Sequence, residues 1–228
     1  MLSHPAGLLR RPYVRNGLLV GAATGVFGAA FGVLARTSGL SIAQALTVSL
    51  LVFTGASQFA AVGVIGAGGD PATALGSAFL LGSRNAFYGM TMAAHIRGSL
   101  PKRVVAAHFL LDESTALAMG QTDPGDIEGA FWAGGIGIFF FWNLGTLVGA
   151  SGGSAIGDPA ALGLDAAFPA GFIALLMPAL KSRAGRIAAG SGMAIALIAL
   201  PYTRPGVPIV LAAAGALIAH LILGETTE

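Results

Sequence analysis

Long apolar segments alternate with short polar connections along almost the whole chain. Most of the segments approach the roughly 20 apolar residues that a helix needs to cross a bilayer. The charged residues fall mainly in the connections. The pattern predicts an all-α, polytopic helical membrane protein with a single transmembrane domain over residues 1–228. The predicted apolar segments are 17–35, 41–65, 72–94, 104–119, 130–150, 162–180, 187–200 and 208–223.

Two of these segments are interrupted by small or polar residues. Segment 41–65 contains the run Phe53-Thr54-Gly55-Ala56-Ser57-Gln58-Phe59, and segment 162–180 contains Pro169-Ala170-Gly171. In a bilayer, irregular backbone is tolerated only where it is buried in protein or lines a water-filled cavity. We therefore expect broken or re-entrant helices at both places. Whether the two segments cross the membrane or re-enter on one side stays open.

Composition supports a membrane protein and narrows its chemistry. Of the 228 residues, 55% are hydrophobic and 10% are charged, whereas soluble domains carry about 25% charged residues. The 35 glycines include Gly21/Gly25 and Gly28/Gly32, a spacing typical of close helix packing in membranes. Because the sequence has no cysteine, disulfides, thiolate metal sites and cysteine nucleophiles are excluded. The 12 basic and 10 acidic residues are too evenly balanced to indicate nucleic-acid binding.

The positions of the basic residues bear on topology. Basic clusters precede the first segment, follow the third and follow the sixth, and such clusters favour the cytoplasmic side. Three full crossings would separate the first two clusters, whereas re-entrant segments 41–65 and 162–180 would leave all three in the cytoplasm. The halves 16–120 and 129–224 would then form an inverted repeat, as in many transporters. The alternative is a plain bundle of seven or eight crossings.

Three ionisable residues lie deep within apolar segments. Arg84 lies near the middle of segment 72–94, where a charge costs at least about 2.5–3.5 kcal/mol on insertion scales. It therefore needs an acidic partner, a wet cavity or an anionic ligand. Asp112 and Glu113 lie in the middle of segment 104–119. Adjacent residues on a helix point in different directions, so one can pair with Arg84 while the other meets substrate or takes a proton. A purely structural ion pair is the alternative.

The interruption at 53–59 has the composition of a ligand site. Half-helix N-termini present unpaired amides and a positive dipole end, which suit a carboxylate, and freed carbonyls suit an ammonium group. The residues expected to bind substrate are Phe53, Gly55, Ser57, Gln58, Arg84, Asn85 and Pro169. The residues expected to serve proton coupling are Asp112 and Glu113. The rings of Phe53, Phe59 and Phe87 are candidates for contact with a hydrocarbon side chain, with ordinary packing as the alternative for each.

The remaining polar residues give weaker signals. Asp165 and the pair Trp142-Asn143 are candidates for lining a transport path, although such residues are usually interfacial. The histidines, His108 among them, show no metal-ligand spacing. No Ser-His-Asp arrangement, phosphate-binding loop or dinucleotide motif is visible in the sequence. We therefore expect no metal, no cofactor and no enzymatic activity.

Four motifs follow one another along the chain in the order found in a known family. They are the run at 53–59, Ser83-Arg84-Asn85-Ala86-Phe87-Tyr88-Gly89, Leu111-Asp112-Glu113 and Gly163-Leu164-Asp165-Ala166-Ala167-Phe168-Pro169. With them the chain resembles the AzlC-type branched-chain amino acid permeases over nearly its whole length. The resemblance implies export of leucine, isoleucine and valine by a two-component transporter with a small AzlD-type membrane subunit. Members of that family often carry Asn and His at the positions of Gly82 and Asn85, which puts a proton relay through that imidazole, and the choice of substrate, in question.

The leading hypothesis is a secondary transporter that exports branched-chain or other small apolar amino acids across the bacterial cytoplasmic (inner) membrane. The proton gradient would drive it. The residues alone predict a multi-pass transporter with a polar site in mid-membrane; the amino acid, the direction and the partner come from the resemblance. The alternative is a channel for a small polar solute, because re-entrant half-helices also build pores. A third class, an intramembrane enzyme or assembly subunit, is disfavoured because no nucleophile–base pair is evident.

Overall fold

The computed structural model describes residues 11–152, 173, 176–177 and 179–224. These residues form helices, and no strand occurs among them, so the predicted all-α fold is confirmed. Short 3-10 turns lie at Pro124–Asp126 and Ala179–Lys181. The α-helices of the described part are α1 Pro12–Thr37, α2 Ile42–Leu51, α3 Ala56–Gly66, α4 Pro71–Gly82, α5 Arg84–Ala93, α6 Leu100–His108, α7 Asp112–Met119, α8 Ile127–Gly152, α9 Arg183–Ala199, α10 Val207–Ala212 and α11 Ala214–Leu223.

Two of the described helices are long and apolar enough to cross a bilayer by themselves. They are α1 and the stretch Pro124–Gly152, which joins α8 to the turn before it. Helices α2 and α3 and the stretch Val207–Leu223 are apolar but shorter. Many large apolar side chains are exposed, Phe79 at 80% and Leu221 at 79% among them. Contiguous apolar surface on this scale is unusual for a soluble monomer and is suited to contact with lipid.

The described helices belong to two compact units. The first unit contains α1, α2 and α5–α8, and the second contains α3, α4 and α9–α11. Each unit therefore takes helices from both of the predicted repeat halves, 16–120 and 129–224. The inverted repeat and the single transmembrane domain stay predictions.

Helices α1 and α8 of the first unit approach each other at backbone distance. A Cβ atom on Gly17 would lie 2.8 Å from the carbonyl of Ala133, and one on Gly21 would lie 2.6 Å from the carbonyl of Gly137. Conversely, a Cβ on Gly137 would lie 2.8 Å from the carbonyl oxygen of Gly17. The predicted packing face of glycines is confirmed, because Gly25, Gly28 and Gly32 also face the backbone of α8. Side chains larger than hydrogen would force the two helices apart.

Helix α8 also holds the remaining elements of the first unit. A Cβ on Gly134 would lie 2.7 Å from Leu117 of α7, and one on Gly135 would lie 2.9 Å from the Phe109 side chain. Two ion pairs tie the polar ends of the helices together, Arg11–Asp126 at 2.8 Å and Lys102–Glu128 at 2.6 Å. An apolar cluster fills the space between α5, α6, α7 and α8 with Met92, Ile96, Ala106, Leu110, Ala118, Ile127 and Phe131.

The second unit contains a tight helical hairpin, α3–α4. The chain reverses at Gly68, whose φ of +77° favours glycine. The Asp70 carboxylate then accepts hydrogen bonds from the Thr73 hydroxyl at 2.7 Å and the Thr73 amide at 3.0 Å, which caps the start of α4. The Thr73 hydroxyl's bond lowers the pKa of Asp70, since it favours the ionised form. Helices α9 and α11 also meet closely, and Ser191 donates a hydrogen bond to the Gly215 carbonyl at 3.2 Å.

Four of the predicted segments are interrupted in the described part of the chain, and only one of these breaks was expected. Residues 52–55 separate α2 from α3, which confirms the broken helix in segment 41–65. Segments 72–94, 104–119 and 208–223, each predicted as a single span, are divided into two helices. Ser83 separates α4 from α5, and Ala213 separates α10 from α11; both keep helical angles. Leu111 is extended (φ −127°, ψ 165°), and its amide donates to the Ser114 hydroxyl at 2.9 Å instead of continuing the helix. The break expected at Pro169 lies outside the described residues.

The glycine contact gives a direct prediction for stability. Gly149→Ala should destabilise the protein by about 1–3 kcal/mol, because the added methyl overlaps the Ala29 carbonyl of α1 in a packed interface. Gly152→Ala on the same helix is the matched control, since a Cβ there meets no described atom within 4 Å. The measurement is the unfolding temperature of the purified proteins in detergent. Equal unfolding temperatures for the two variants would contradict this account of the interface.

Candidate functional site

Two of the helix breaks in the first unit meet through aromatic rings. Phe53, in the break at 52–55, is 3% exposed. Its ring lies 5.0 Å from that of Phe139 on α8 and 6.3 Å from that of Phe109, in the break at 109–111; both contacts are edge-to-face. His108 contacts the same three rings at 5.6–5.8 Å. We call Phe53, His108, Phe109 and Phe139 the aromatic cluster; it fixes the two breaks against each other and against α8.

The backbone at the first break is held by local contacts. The amide of Thr54 donates to the Val52 carbonyl at 2.7 Å, which closes a tight turn. Gly55 follows with φ of +56°. A Cβ on Gly55 would lie 3.6 Å from the Trp142 ring, which is ordinary contact. Glycine is therefore required here by its conformation more than by lack of space.

A buried polar network joins α2 to α8 beside this break. The Ser49 hydroxyl donates to Asn143 Oδ1 at 2.7 Å and lies 3.1 Å from the Thr146 hydroxyl. Asn143 donates in turn to the Phe139 carbonyl, and Thr146 to the Trp142 carbonyl. Ser49 and Thr146 are completely buried. Asn143 was a candidate for lining a path; the structure gives it a packing role, as expected of polar groups between helices in lipid.

Arg84 and Asp112 form an ion pair in the first unit. Arg84 Nη2 donates to Asp112 Oδ1 at 3.3 Å, so the arginine has the acidic partner that its depth demands. Arg84 begins α5 just after Ser83, and Asp112 begins α7 just after the break at 109–111. The two side chains keep 33% and 25% of their surface exposed. The described residues therefore cover the pair only in part.

The neighbours of this pair add further polar groups. Glu113 also lies in the first turn of α7, where the partial positive charge of the helix N-terminus favours carboxylates. Asn85 follows Arg84 and is half-buried. Phe87 is 66% exposed, so its ring lies on the surface of the chain. The first unit thus places one cation and two carboxyl groups where its helices are interrupted.

The other predicted ligand residues belong to the second unit. Ser57 and Gln58 lie in the first turn of α3, 2% and 0% exposed. Among the described residues, no group hydrogen-bonds to the Ser57 hydroxyl. Phe59 follows and is 7% exposed. Pro169 and Asp165 lie outside the described residues.

The AzlC protein family matches the sequence over residues 20–156. The chain belongs to the AzlC family. An uncharacterized membrane protein of Archaeoglobus fulgidus is 32% identical over 191 residues, which cover 82% of this chain and 84% of that protein. The branched-chain amino acid transport protein AzlC of Bacillus subtilis is 24% identical over 129 residues. These cover 56% of this chain and 51% of that protein.

A third relative also matches most of the chain. It is an uncharacterized membrane protein of Helicobacter pylori strain J99, 27% identical over 177 residues, or 77% of each chain. No solved structure matches the chain. The AzlC-family relatives and the apolar helices together make this chain a membrane protein of a family related to branched-chain amino acid transport.

Sequence reasoning missed several residues that shape the site in this AzlC-family chain. Part of the polar network around Ser49 could have been predicted from the sequence. Asn143 and Thr146 are three residues apart and therefore lie on the same face of one helix. His108 was considered only as a metal ligand, and its place in the aromatic cluster depends on a break that the apolar pattern does not show. The break itself had one clue, Ser114, whose hydroxyl can replace a backbone partner.

The aromatic cluster predicts a difference between two phenylalanines. Phe53→Ala should cost about 3–5 kcal/mol of stability, because it leaves a cavity among buried rings. Phe87→Ala should change stability by at most about 0.5 kcal/mol, since that ring is exposed. Unfolding temperatures of both variants in detergent provide the comparison. If Phe53→Ala is no less stable than Phe87→Ala, the cluster does not hold the breaks together.

Proposed function

We propose that this protein is a multi-pass secondary transporter that exports branched-chain or other small apolar amino acids. It would act in the bacterial cytoplasmic (inner) membrane and use the proton gradient. The family supports the substrate class, because a relative in Bacillus subtilis is named a branched-chain amino acid transport protein. The observation that carries the mechanism is the Arg84–Asp112 ion pair, partly exposed where α5 and α7 begin.

The ion pair is suited to exchange with an amino acid. Because both side chains are partly exposed, a competing ammonium group can approach Asp112 and replace the guanidinium there. Arg84 would then hold Asp112 between transport cycles and release it to the substrate. Asn85, next to Arg84, would add a hydrogen-bonding group. In this role the ion pair opens when substrate binds, whereas a purely structural ion pair would stay closed.

The substrate's other groups meet different residues during transport. The first turn of α3, with Ser57 and Gln58, suits a carboxylate because its amides and dipole attract negative charge. We assign Phe53 and Gly55 to substrate binding through their place in the break at 52–55. We assign Pro169 to the same function through its place in the second interrupted segment.

Proton coupling is assigned to Asp112 and Glu113. Two adjacent carboxyl groups at one helix N-terminus repel each other when both are ionised, which favours one shared proton. Binding of the substrate's ammonium group to Asp112 would change that repulsion. Uptake or release of the proton by the pair would then be linked to substrate binding.

A small AzlD-type membrane subunit is the proposed partner. The resemblance implies it, and the exposed apolar surface of the helices leaves area for a membrane partner as well as for lipid. Transport assays should therefore contain this subunit, with the large chain alone as a comparison. Activity of the large chain by itself would argue against the two-component arrangement.

The ion pair gives the first functional prediction. Arg84→Ala should abolish counterflow of radiolabelled leucine in vesicles while leaving insertion in the membrane intact, because Asp112 loses the cation that holds it. Arg97→Ala, which removes an exposed arginine from a connection, is the matched control and should transport normally. Normal leucine counterflow in Arg84→Ala would refute the role of the pair.

The same assay separates the carrier from its alternative. The interrupted helices also fit a channel for a small polar solute. A carrier shows saturable flux, counterflow and accumulation of leucine when a pH gradient is imposed. A channel shows none of these, and that result would replace the transporter proposal.

The coupling assignment predicts a change in pH dependence. Asp112→Asn and Glu113→Gln should each flatten the profile of leucine transport against pH, because each removes one of two groups that share a proton. Asp126→Asn is the control, since its carboxylate pairs with Arg11 in a polar connection. The measurement is the initial rate of leucine flux between about pH 5 and pH 8. Unchanged profiles in both site variants would remove the pair from coupling.

A further inference from the structure

A buried hydroxyl group without a hydrogen-bond partner lies at the start of α3. The Ser57 side chain is 2% exposed, and no described residue donates to or accepts from its Oγ atom. Leaving such a group unpaired costs about 1–3 kcal/mol. Native structures rarely keep unpaired polar groups without a reason, and binding of a ligand is one such reason.

The surroundings of this hydroxyl favour an anion. Helix α3 has 11 residues, and Ser57 is its second residue. The first amides of a helix have no partner within the helix, and they carry a partial positive charge. A carboxylate oxygen near Ser57 would accept one hydrogen bond from the hydroxyl and another from an amide of the same turn. Hydrogen bonds to an ionised acceptor are about twice as strong as neutral ones.

Gly82 controls the space beside the hydroxyl. It ends α4, which packs against α3 in the hairpin of the second unit. A Cβ atom on Gly82 would lie 3.2 Å from Ser57 Oγ, and among the described residues no other atom lies within 4 Å of that position. This is closer than ordinary van der Waals contact, so any larger residue at position 82 would crowd the hydroxyl.

Two other residues of α4 show that this arrangement is specific. Gly76 belongs to the same helix, but a Cβ there meets no described atom within 4 Å. Ser77 has a completely buried hydroxyl that is also without a partner in the described part of the chain, but it lies in the interior of α4, away from any helix N-terminus. Only Ser57 combines an unpaired buried hydroxyl, a helix N-terminus and a facing glycine among these residues.

We propose, resting on the amino-acid transport proposed above, that Ser57 and the first turn of α3 bind the carboxylate of the transported amino acid. Gly82 is the residue of this chain that leaves the Ser57 hydroxyl uncrowded. The subsite recognises the carboxylate and not the hydrocarbon side chain. Gly82 thus acts on the affinity for every amino acid substrate, whereas the choice among leucine, isoleucine and valine is made elsewhere.

The test compares binding of leucine with binding of leucinamide, which has the same side chain and ammonium group but no carboxylate. Radiolabelled leucine is bound to the purified chain with its small subunit, and both compounds are used as competitors. In the unaltered protein leucine should compete better than leucinamide. Gly82→Ala and Ser57→Ala should each weaken leucine binding by about tenfold or more and reduce this preference.

Gly76→Ala and Ser77→Ala are the matched controls. Each makes the same chemical change on α4 without touching the proposed subsite, so both should keep the affinity for leucine and the preference over leucinamide. Unfolding temperatures of all four variants show whether a loss of binding comes from misfolding. The combination of normal unfolding with a lost carboxylate preference in Gly82→Ala and Ser57→Ala would support the inference.

Several outcomes would overturn it, and they differ from failure of the transport proposal. If Gly82→Ala binds leucine as Gly76→Ala does, the glycine does not guard a subsite. If Ser57→Ala weakens leucine and leucinamide equally, the hydroxyl does not recognise the carboxylate. If leucine binds with the expected preference but shows no counterflow, the subsite stands and the transport proposal fails. If leucine does not bind the unaltered protein at all, both are wrong.

Discussion

The close contact between α1 and α8 is the constraint on which the first unit depends. Lipid tails are as apolar as leucine side chains, so helices in a membrane associate mainly through tight packing and hydrogen bonds. The glycines of both helices allow this approach, as the position of Gly21 against Gly137 shows. With α8 fixed, its other faces hold α2 through Ser49 and α7 through Gly134. Helix α8 is therefore the element through which α1, α2 and α7 are held together.

Charge and irregular backbone occur together in the first unit for one physical reason. A helix interior satisfies its own amides and carbonyls, so it has nothing to offer an ion, whereas an interrupted helix exposes both. Arg84 begins α5, and Asp112 and Glu113 follow a break. The aromatic cluster packs Phe53 against Phe109, which lies in that same break. In the transport proposal, the ion pair opens when it binds the amino acid.

The second unit offers a different kind of group. Its α3–α4 hairpin buries hydroxyl groups at Ser57 and Ser77 without giving them partners in the described part of the chain. In a membrane such groups are costly, because no bulk water is available to satisfy them. In the carboxylate proposal, the helix N-terminus beside Ser57 makes one of the two suitable for an anion, and Gly82 leaves its hydroxyl uncrowded. The absence of a side chain at one position is thus as important as the hydroxyl at the other.

The sequence by itself determined the helical class, the membrane setting, the glycine face of α1 and the break at 52–55, because hydropathy, glycine spacing and polar interruptions are local properties. It also predicted that Arg84 needs a partner, although it left open which carboxylate. Only the tertiary structure decided that Asp112 is that partner, that 104–119 is two helices, and that Phe53, His108 and Phe139 share one cluster. These depend on residues far apart in the chain, and on a side-chain hydrogen bond from Ser114 that competes with the helix. The spacing of apolar residues in the sequence gives no information about whether a side chain or a carbonyl accepts a given backbone hydrogen bond.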